Sequence, residues 1–244
     1  RSIRHLRGYT DGSFLKSMLE LSGGALGAGK SGQLFFKSKD SRFVLKTMPK
    51  NEAEVLRSIL PTYHSYLFAS RESVVVPKIS KGNGKNSPSA LRTFLARFLG
   101  LYALEIEGKR TRRVYLVCME NALKTFGSFK PIRIFDLKGS KQGRYVPPNA
   151  QGEFKGVLKD LNWTKNEKAI RLPKRMFQQV RAALERDVAL LKSFNIVDYS
   201  LLIGISSPSG MSSGVPGGRR IWASVIDILQ LFNMKKRGER FVKK

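Results

Sequence analysis

Two acids set in strand-like apolar sequence constrain this chain more than any other feature. Asp198 lies within Asn195-Ile-Val-Asp198-Tyr-Ser-Leu-Leu202, and 29 residues later Asp227 lies within Val225-Ile-Asp227-Ile-Leu229. A carboxylate among such neighbours loses its hydration unless a cation, a metal or a hydrogen-bond donor replaces it. Two in succession suggest a paired site in which one acid holds a metal and the other serves as a base. Taken singly, Asp198 reads equally as a loop acid capping local backbone and Asp227 as a turn acid after a strand.

The surrounding sequence alternates between strand and helix patterns. Residues 33–47 place aromatic and β-branched residues on either side of Lys39-Asp-Ser41, which predicts a β-hairpin. In residues 51–68, Glu52, Glu54, Leu56, Ile59 and Leu60 are spaced to give a helix with one charged and one apolar face. Beyond a loop at 81–88, residues 99–107 and 113–119 read as a second strand pair about a Gly108-Lys-Arg110 turn. The first 120 residues are thus expected to hold sheet and one helix. From Pro173, the apolar positions Phe177, Val180, Leu184, Val188, Leu191 and Phe194 step by three or four, predicting a core-facing helix that runs into the Asp198 segment. Eleven of the thirteen residues 206–218 are Ser, Gly or Pro, a composition that cannot pack a core and is expected to form a mobile insertion.

Gly24-Ala-Leu-Gly-Ala-Gly-Lys30-Ser31 satisfies the P-loop pattern, and Gly27-Ala-Gly29-Lys-Ser-Gly32 satisfies the glycine pattern of kinases and dinucleotide-binding folds. The two differ in what must follow. A P-loop needs a helix starting at the Lys-Ser pair, so that the first helical amides complete the phosphate cradle. Here Gly32 and Gln33-Leu-Phe-Phe36 follow and look like a strand. That favours a loop between two strands that lays backbone amides over phosphates, with an ordinary glycine-rich turn as the plain alternative. Lys46, in Phe43-Val-Leu-Lys46-Thr47, would be a solvated strand lysine on its own. Its place one hairpin after the glycine loop, and just before a helix carrying Glu52 and Glu54, suits a lysine that holds nucleotide phosphates while a helix acid holds the lysine. With Asp198 and Asp227 this points to phosphoryl transfer. Ile203 stands five residues after Asp198, where protein kinases place a metal-binding Asn, so an ordinary protein kinase is disfavoured.

Charge narrows the partners. The 244 residues carry 45 Lys and Arg against 18 Asp and Glu, a net charge of +27 that calls for an extended polyanion or an anionic surface. At 41% hydrophobic, the chain can bury one sizeable core or two small lobes sharing a cleft. Cys118 is the single cysteine, which excludes an intramolecular disulfide and fits a reducing compartment. No run of 18 apolar residues is present. A start at Arg1, with neither Met nor a signal-peptide pattern, is expected of a fragment of a cytosolic protein. Two rivals follow from the same features: a P-loop NTPase using Gly24–Ser31 with Asp227, and a non-enzymatic nucleic-acid binder. The second is weakened because the aromatics follow core periodicities and form no stacking motif. His5 and His64 lack companions at metal-ligand spacing and read as surface or packing residues.

The motifs resemble the phosphatidylinositol phosphate kinase family, closest to its type I 4-phosphate 5-kinases. Phe135-Asp136-Leu-Lys138-Gly-Ser140 is similar to that family's Tyr-Asp-Leu-Lys-Gly-Ser signature, and Arg186-Asp through Leu202 is similar to its catalytic segment. Val225-Ile-Asp227-Ile-Leu-Gln230 resembles its metal-binding motif and Gly29-Lys30-Ser31-Gly32 its phosphate loop, with the likeness running in order through most of residues 20–240.

The resemblance implies an α+β, two-lobed kinase-like fold with ATP in the cleft. An antiparallel sheet with a helix would form an N-terminal lobe over 1–120, and a mixed sheet with helices a C-terminal lobe over 121–244. It further implies that Lys46 holds ATP phosphates, Glu52 braces it, Asp198 is the catalytic acid, Asp227 holds Mg²⁺ and Lys138 lies beside the transferring phosphate. Val117-Cys-Met119-Glu-Asn121 falls where an adenine-binding hinge belongs. Met234-Lys235-Lys236-Arg237-Gly-Glu239 through Lys244 looks like the activation loop that meets membrane and headgroup. Its basic residues would each gain up to about 1 kcal/mol at an anionic surface. Glu239 lies 12 residues after Asp227, where type I enzymes carry Glu, implying phosphatidylinositol 4-phosphate as substrate. The expected partners are a phosphoinositide and the anionic cytoplasmic face of a membrane, with no nucleic acid; no oligomeric state is implied. The family also extends beyond both ends of this chain.

Overall fold

The computed structural model describes residues 2–26, 32–70, 93–107, 111–124, 130–167, 169–206 and 220–232. The expectations placed on Gly29, Lys30 and Ser31, on the 81–88 loop, on the 108–110 turn, on most of the 206–218 stretch and on the basic segment 234–244 lie outside these residues.

Alternation in the first half builds one antiparallel sheet. Strands β1 (Leu21–Leu26), β2 (Leu34–Ser38), β3 (Phe43–Met48), β4 (Phe98–Ile106) and β5 (Arg112–Glu120) lie in the order β1-β2-β3-β5-β4. The β2–β3 hairpin turns at Ser41, whose positive φ of 56° is locked from both sides. Asp40 caps the Arg42 amide at 3.0 Å, and Asn121 Nδ2 donates to the Ser41 carbonyl at 2.8 Å. Helix α3 (Lys50–Ala69) buries Ala53, Leu56, Ile59, Tyr63 and Leu67. Each fully buried Leu or Ile contributes about 1.5–3 kcal/mol, and this stripe holds the helix against β5. Leu60, expected on that stripe, is instead exposed.

Two short helices precede the sheet, α1 (Ser2–Leu6) and α2 (Asp11–Leu19), so the described residues of the first half hold three helices where one was expected. Thr10 caps α2 by accepting the Ser13 amide at 3.1 Å. Tyr9 and Phe14 then pack edge-on against Phe43 at 5.0 and 5.1 Å, which gives these short helices an anchor that local periodicity could not reveal. His64 is a packing residue, bonded to Ser2 Oγ at 2.7 Å and stacked 4.4 Å from Phe68.

The second half forms a mixed sheet of β6 (Pro131–Leu137), β7 (Val157–Leu158), β8 (Ser200–Ser206) and β9 (Ile221–Ile226), ordered β7-β6-β8-β9 with only β6–β7 parallel. Helix α4 (Asp160–Asn166) covers it through Trp163, whose ring meets Phe135 edge-on at 5.0 Å. Ile203 is buried in this small core beside Phe135, Leu158 and Ile205, which accounts for an apolar residue at that position.

Helix α5 (Lys174–Ser193) forms as its periodicity predicts, with Leu184 and Leu191 of the expected stripe, and Phe194 just beyond it, packed on the main core. Ala183, Asp187 and Leu191 are its buried residues, whereas Phe177 and Val188 are exposed. The expectation counted apolar residues alone and so passed over Asp187, which is buried where Val188 is not. The main core runs without interruption from the first sheet into Leu191, Ile196, Val225, Ile228 and Leu229. Among the described residues no helix is long and apolar enough to cross a membrane.

Candidate active site

The β8–β9 hairpin brings the two acids together. Ser200 pairs with Ile226, so Asp198, two residues before the one, and Asp227, one residue after the other, leave the sheet at the same end. Adjacent strands lie about 4.8 Å apart, so the backbones of these two positions lie near one another at that end. Both residues have left-handed backbones, φ 59° for Asp198 and 58° for Asp227, as has Asn195 at 55°. Such conformations are tolerated best by Asp and Asn. They hold here because a second layer of chain fixes them: Val197 N–H donates to Gln230 O at 2.8 Å and Phe232 N–H to Asn195 O at 2.8 Å.

Lys46 approaches from the first sheet. On β3 it sits between Phe35 and Val117, and its side chain is largely buried, with the ammonium 5.6 Å above the Phe35 ring. The acid it reaches is Asp227, at 3.6 Å from Nζ to Oδ1. Glu52, in the first turn of α3, acts on Lys46 through space and accepts a hydrogen bond from the Gln33 side chain. Burial raises the Glu52 carboxyl above the ordinary range; Lys46 opposes this, the Asp227 charge adds to it and the Gln33 bond opposes it. Asp227 is thus the carboxylate within ion-pair reach of the ammonium, and Glu52 acts on it from farther away.

Lys138 follows β6, next to β8 through the Leu137–Leu201 pair, and its Nζ donates to the Asp198 carbonyl at 2.8 Å. The turn that presents it is built by Asp160, whose Oδ1 accepts the amides of Lys138 and Gly139 at 3.0 and 2.8 Å. Gly139 takes φ 68°, a position suited to glycine. Arg144 completes the brace, donating from Nε to Asp160 at 2.7 Å and from Nη2 to Asp136 at 3.2 Å. Burial raises the Asp160 carboxyl, but Arg144 and the backbone amides outweigh it and hold the group below its usual range. Sequence reasoning missed Asp160, Arg144 and Gln33. Only the position of Asp160 at a helix start offered a signal, and that is shared with any capping acid.

The hinge candidates are placed but engaged locally. Asn121 is buried, with Oδ1 accepting the Leu123 amide at 3.0 Å while Nδ2 holds Ser41. Met119, near the end of β5, packs partly buried against the main core. Gly32, the described residue of the glycine loop, has φ 62°, and it leads through Gln33 into β2. The helix that a P-loop NTPase needs after Ser31 is therefore replaced by a strand paired with β1.

An ammonium and two carboxylates at the edge of one sheet, facing a lysine and an acid from a second, can hold a polyphosphate and a divalent cation against a hydroxyl, as kinases do. The model of the phosphatidylinositol-4-phosphate 5-kinase family matches residues 18–81 and 84–215, and the chain belongs to that family. It is 34% identical over 215 residues to a probable phosphatidylinositol phosphate kinase of Dictyostelium discoideum, covering 85% of this chain and 27% of that protein. To phosphatidylinositol 4-phosphate 5-kinase 5 of Arabidopsis thaliana it is 31% identical over 195 residues, 79% of this chain and 22% of the relative. To phosphatidylinositol 4-phosphate 5-kinase type-1 alpha of Rattus norvegicus it is 32% identical over 211 residues, 84% and 33% respectively. The chain thus spans a third or less of the length of these relatives.

Proposed function

We propose that this protein is a lipid kinase that transfers the γ-phosphate of ATP to the 5-hydroxyl of phosphatidylinositol 4-phosphate. The observation that carries the proposal is the 3.6 Å approach of Lys46 to Asp227 across two sheets, in a chain of this family. Residues 1–120 and 121–244 are taken as the two lobes of a kinase-like fold, with the site between them.

Bound ATP supplies the phosphoryl group, and a divalent cation, Mg²⁺, neutralises its charge. Lys46 binds phosphate oxygens, and Glu52 with Gln33 orients Lys46. Asp227, whose side chain is about half exposed at 47%, is open to a cation, and the Glu52 carboxyl raised in part by Asp227 marks a place that a cation would relieve. Asp227 would be a protein ligand of such a cation, alongside phosphate oxygens and water. Asp198 orients the inositol hydroxyl and takes its proton as the bond from that oxygen to the γ-phosphorus forms and the bond from the γ-phosphorus to the β-phosphate oxygen breaks, with ADP as the leaving group, a role worth about 10²–10⁴-fold. Lys138 places its charge beside both Asp198 and the transferring group. Gly29, Lys30, Ser31 and Gly32 lie over the phosphates, and Met119 and Asn121 border the adenine. Lys235, Lys236, Arg237 and Glu239 meet the headgroup at the cytoplasmic face of an anionic membrane, to which the net charge of +27 draws the protein.

The test is incubation with Mg·ATP and vesicles that each hold one monophosphorylated phosphoinositide, followed by identification of the product. Formation of phosphatidylinositol 4,5-bisphosphate from the 4-phosphate, abolished by Asp198→Asn with vesicle binding kept, is expected. Equal turnover by that variant overturns the assignment of Asp198, and absence of any lipid product overturns the function.

A further inference from the structure

Residues 93–96 run between the two sheets, and a buried carboxylate organises them. Asp187, on the inward face of α5, is fully buried. Its Oδ1 accepts Tyr66 Oη at 2.6 Å and Thr93 Oγ1 at 2.6 Å, and its Oδ2 accepts the Phe94 amide at 2.6 Å. The far side of the same short segment is bonded to β9: Val225 N–H donates to Phe94 O at 2.7 Å, Ser224 Oγ donates to Phe94 O at 3.1 Å, and Ala96 N–H donates to Val225 O at 2.8 Å. Val225 is two residues from Asp227. Tyr63, one turn before Tyr66 on α3, donates to Ala96 O and accepts the Phe98 amide at 3.2 Å.

Three elements of the candidate site therefore meet at one acid. Helix α3 carries Glu52 at its first turn and Tyr66 at its last. Helix α5 carries Asp187 and ends just before the Asp198 segment. Strand β9 receives the bonds of Phe94 and Ala96 and delivers Asp227. We propose that Asp187 is a positioning residue for phosphoryl transfer, which through residues 93–96 holds the helix of Glu52 and the strand of Asp227 in one register. The inference rests on the kinase function proposed above and concerns a residue that touches neither nucleotide nor lipid.

Burial raises the Asp187 carboxyl, and the donors from Thr93, Tyr66 and Phe94 oppose that by favouring the ionised form. Three donors converge on two oxygens, and a carboxylate offers acceptor sites on both. An Asn offers one acceptor oxygen and would set its NH₂ against a remaining donor. A helix pair that only needed packing would be served by an apolar residue at this position, since a buried acid gains nothing over one in stability. What the acid adds is a fixed orientation of the chain at 93–96, because both of its oxygens are held.

The test compares Asp187→Asn, Tyr66→Phe, Thr93→Val and Thr93→Ser, the last of which keeps the hydroxyl. For each, kcat and KM on phosphatidylinositol 4-phosphate vesicles with Mg·ATP are measured well below the unfolding midpoint, alongside hydrogen exchange of the Ala96 and Val225 amides. Asp187→Asn and Thr93→Val are expected to lower kcat at least tenfold with the lipid KM within twofold, and to speed exchange at both amides, while Thr93→Ser stays like the parent. Folded variants that keep the parent kcat, or that lose kcat with Val225 exchange unchanged, overturn the proposal. Should Asp187→Asn fail to fold, Thr93→Val and Tyr66→Phe decide it, each removing a single donor. A parent protein that phosphorylates no lipid would refute the kinase function instead, and the exchange rates would still show whether Asp187 controls β9.

Discussion

Lys138 donates its ammonium to the backbone carbonyl of Asp198 over 2.8 Å, at a residue held with φ 59°. A left-handed backbone at a residue other than glycine costs of order 1–3 kcal/mol and persists only where surrounding structure fixes it. Lys138 is part of that fixation, and its own turn is set by Asp160 and Arg144. The lysine thus links the turn at the end of β6 to the Asp198 segment before β8, where the proposed function sets its charge beside the transferring phosphate.

Replacing Lys138 by Met should therefore separate activity from stability. A loss of at least about 100-fold in kcat is expected, since both Asp198 and the transferring group lose a cation. The hydrogen bond itself is exposed and screened by solvent, and is worth about 0.5–1.5 kcal/mol. In a chain of 244 residues that amounts to a melting shift of only a few degrees. Parallel thermal unfolding and lipid-kinase assays check this; a melting drop above roughly ten degrees with proportionate activity loss would make Lys138 a structural residue.

Glu52 gives a pH dependence of defined sign. Its carboxyl is raised, chiefly by burial and further by Asp227, so on acidification it takes up a proton before an ordinary glutamate does. The acid limb of kcat/KM should accordingly set in at higher pH than for an ordinary carboxylate, and Glu52→Gln should lower the rate and flatten that limb. Stability moves the other way. A folded pKa above the unfolded one stabilises the fold below the unfolded pKa, and that contribution is lost as pH rises through the folded value. At pH 7 Glu52 therefore gives the fold nothing by its charge, and Glu52→Gln should melt no lower than the parent. A lower melting point for the variant at pH 7 would contradict this.

How far the sequence led is plain in particular residues. The β2–β3 hairpin, α3, the β4–β5 pair and α5 were legible because alternation and 3.6-residue spacing are local properties. The same spacing put Asp198 and Asp227 in strand surroundings and Lys46 before a helix. It could not show that the acid within ion-pair reach of Lys46 is Asp227, because that contact depends on how two sheets meet. Nor could it show Asp187, whose burial is set by partners at 66, 93 and 94 on other elements. Helices α1 and α2 were invisible for the same reason: Tyr9 and Phe14 are held by Phe43, far along the chain.

Those helices are pinned by an ion pair that makes a stability prediction. Arg7 donates from Nε and Nη2 to the two oxygens of Glu120 at 2.9 Å each, and Tyr9 Oη donates to Oε1 at 2.9 Å. Burial raises the Glu120 carboxyl, but the Arg7 bonds, with Tyr9 and Arg97, outweigh it and hold the group below its usual range. The resulting stabilisation is present above the unfolded pKa and is lost as pH falls through the folded one. Glu120→Gln should cost about 1.5–3 kcal/mol at pH 7, as expected for hydrogen bonds to a charged group. Urea midpoints measured from pH 7 to pH 3 should converge for parent and variant; a constant gap would show that the charge is irrelevant.

Gly23 supplies the test of how the first strand shapes the end of the site proposed to hold the nucleotide. It stands at a bulge in β1 with φ 119°, and a Cβ there would come 2.8 Å from the Phe35 carbonyl oxygen and 3.3 Å from Phe36 Cα. Both contacts are backbone, so neither can move aside without distorting the β1–β2 pairing. Ala at a positive φ loses more than the 0.4–1 kcal/mol it saves in the unfolded chain. Gly23→Ala should therefore melt several degrees lower and raise the KM for ATP, since β1 leads into the glycine loop and β2 leads back past Gln33, the partner of Glu52. Gly152→Ala is the control: it has φ 77° but nothing within 4 Å, so it carries the backbone strain without the collision. A Gly152→Ala protein with a raised ATP KM, or a Gly23→Ala protein with an unchanged one, would show that the bulge at Gly23 does not govern nucleotide binding.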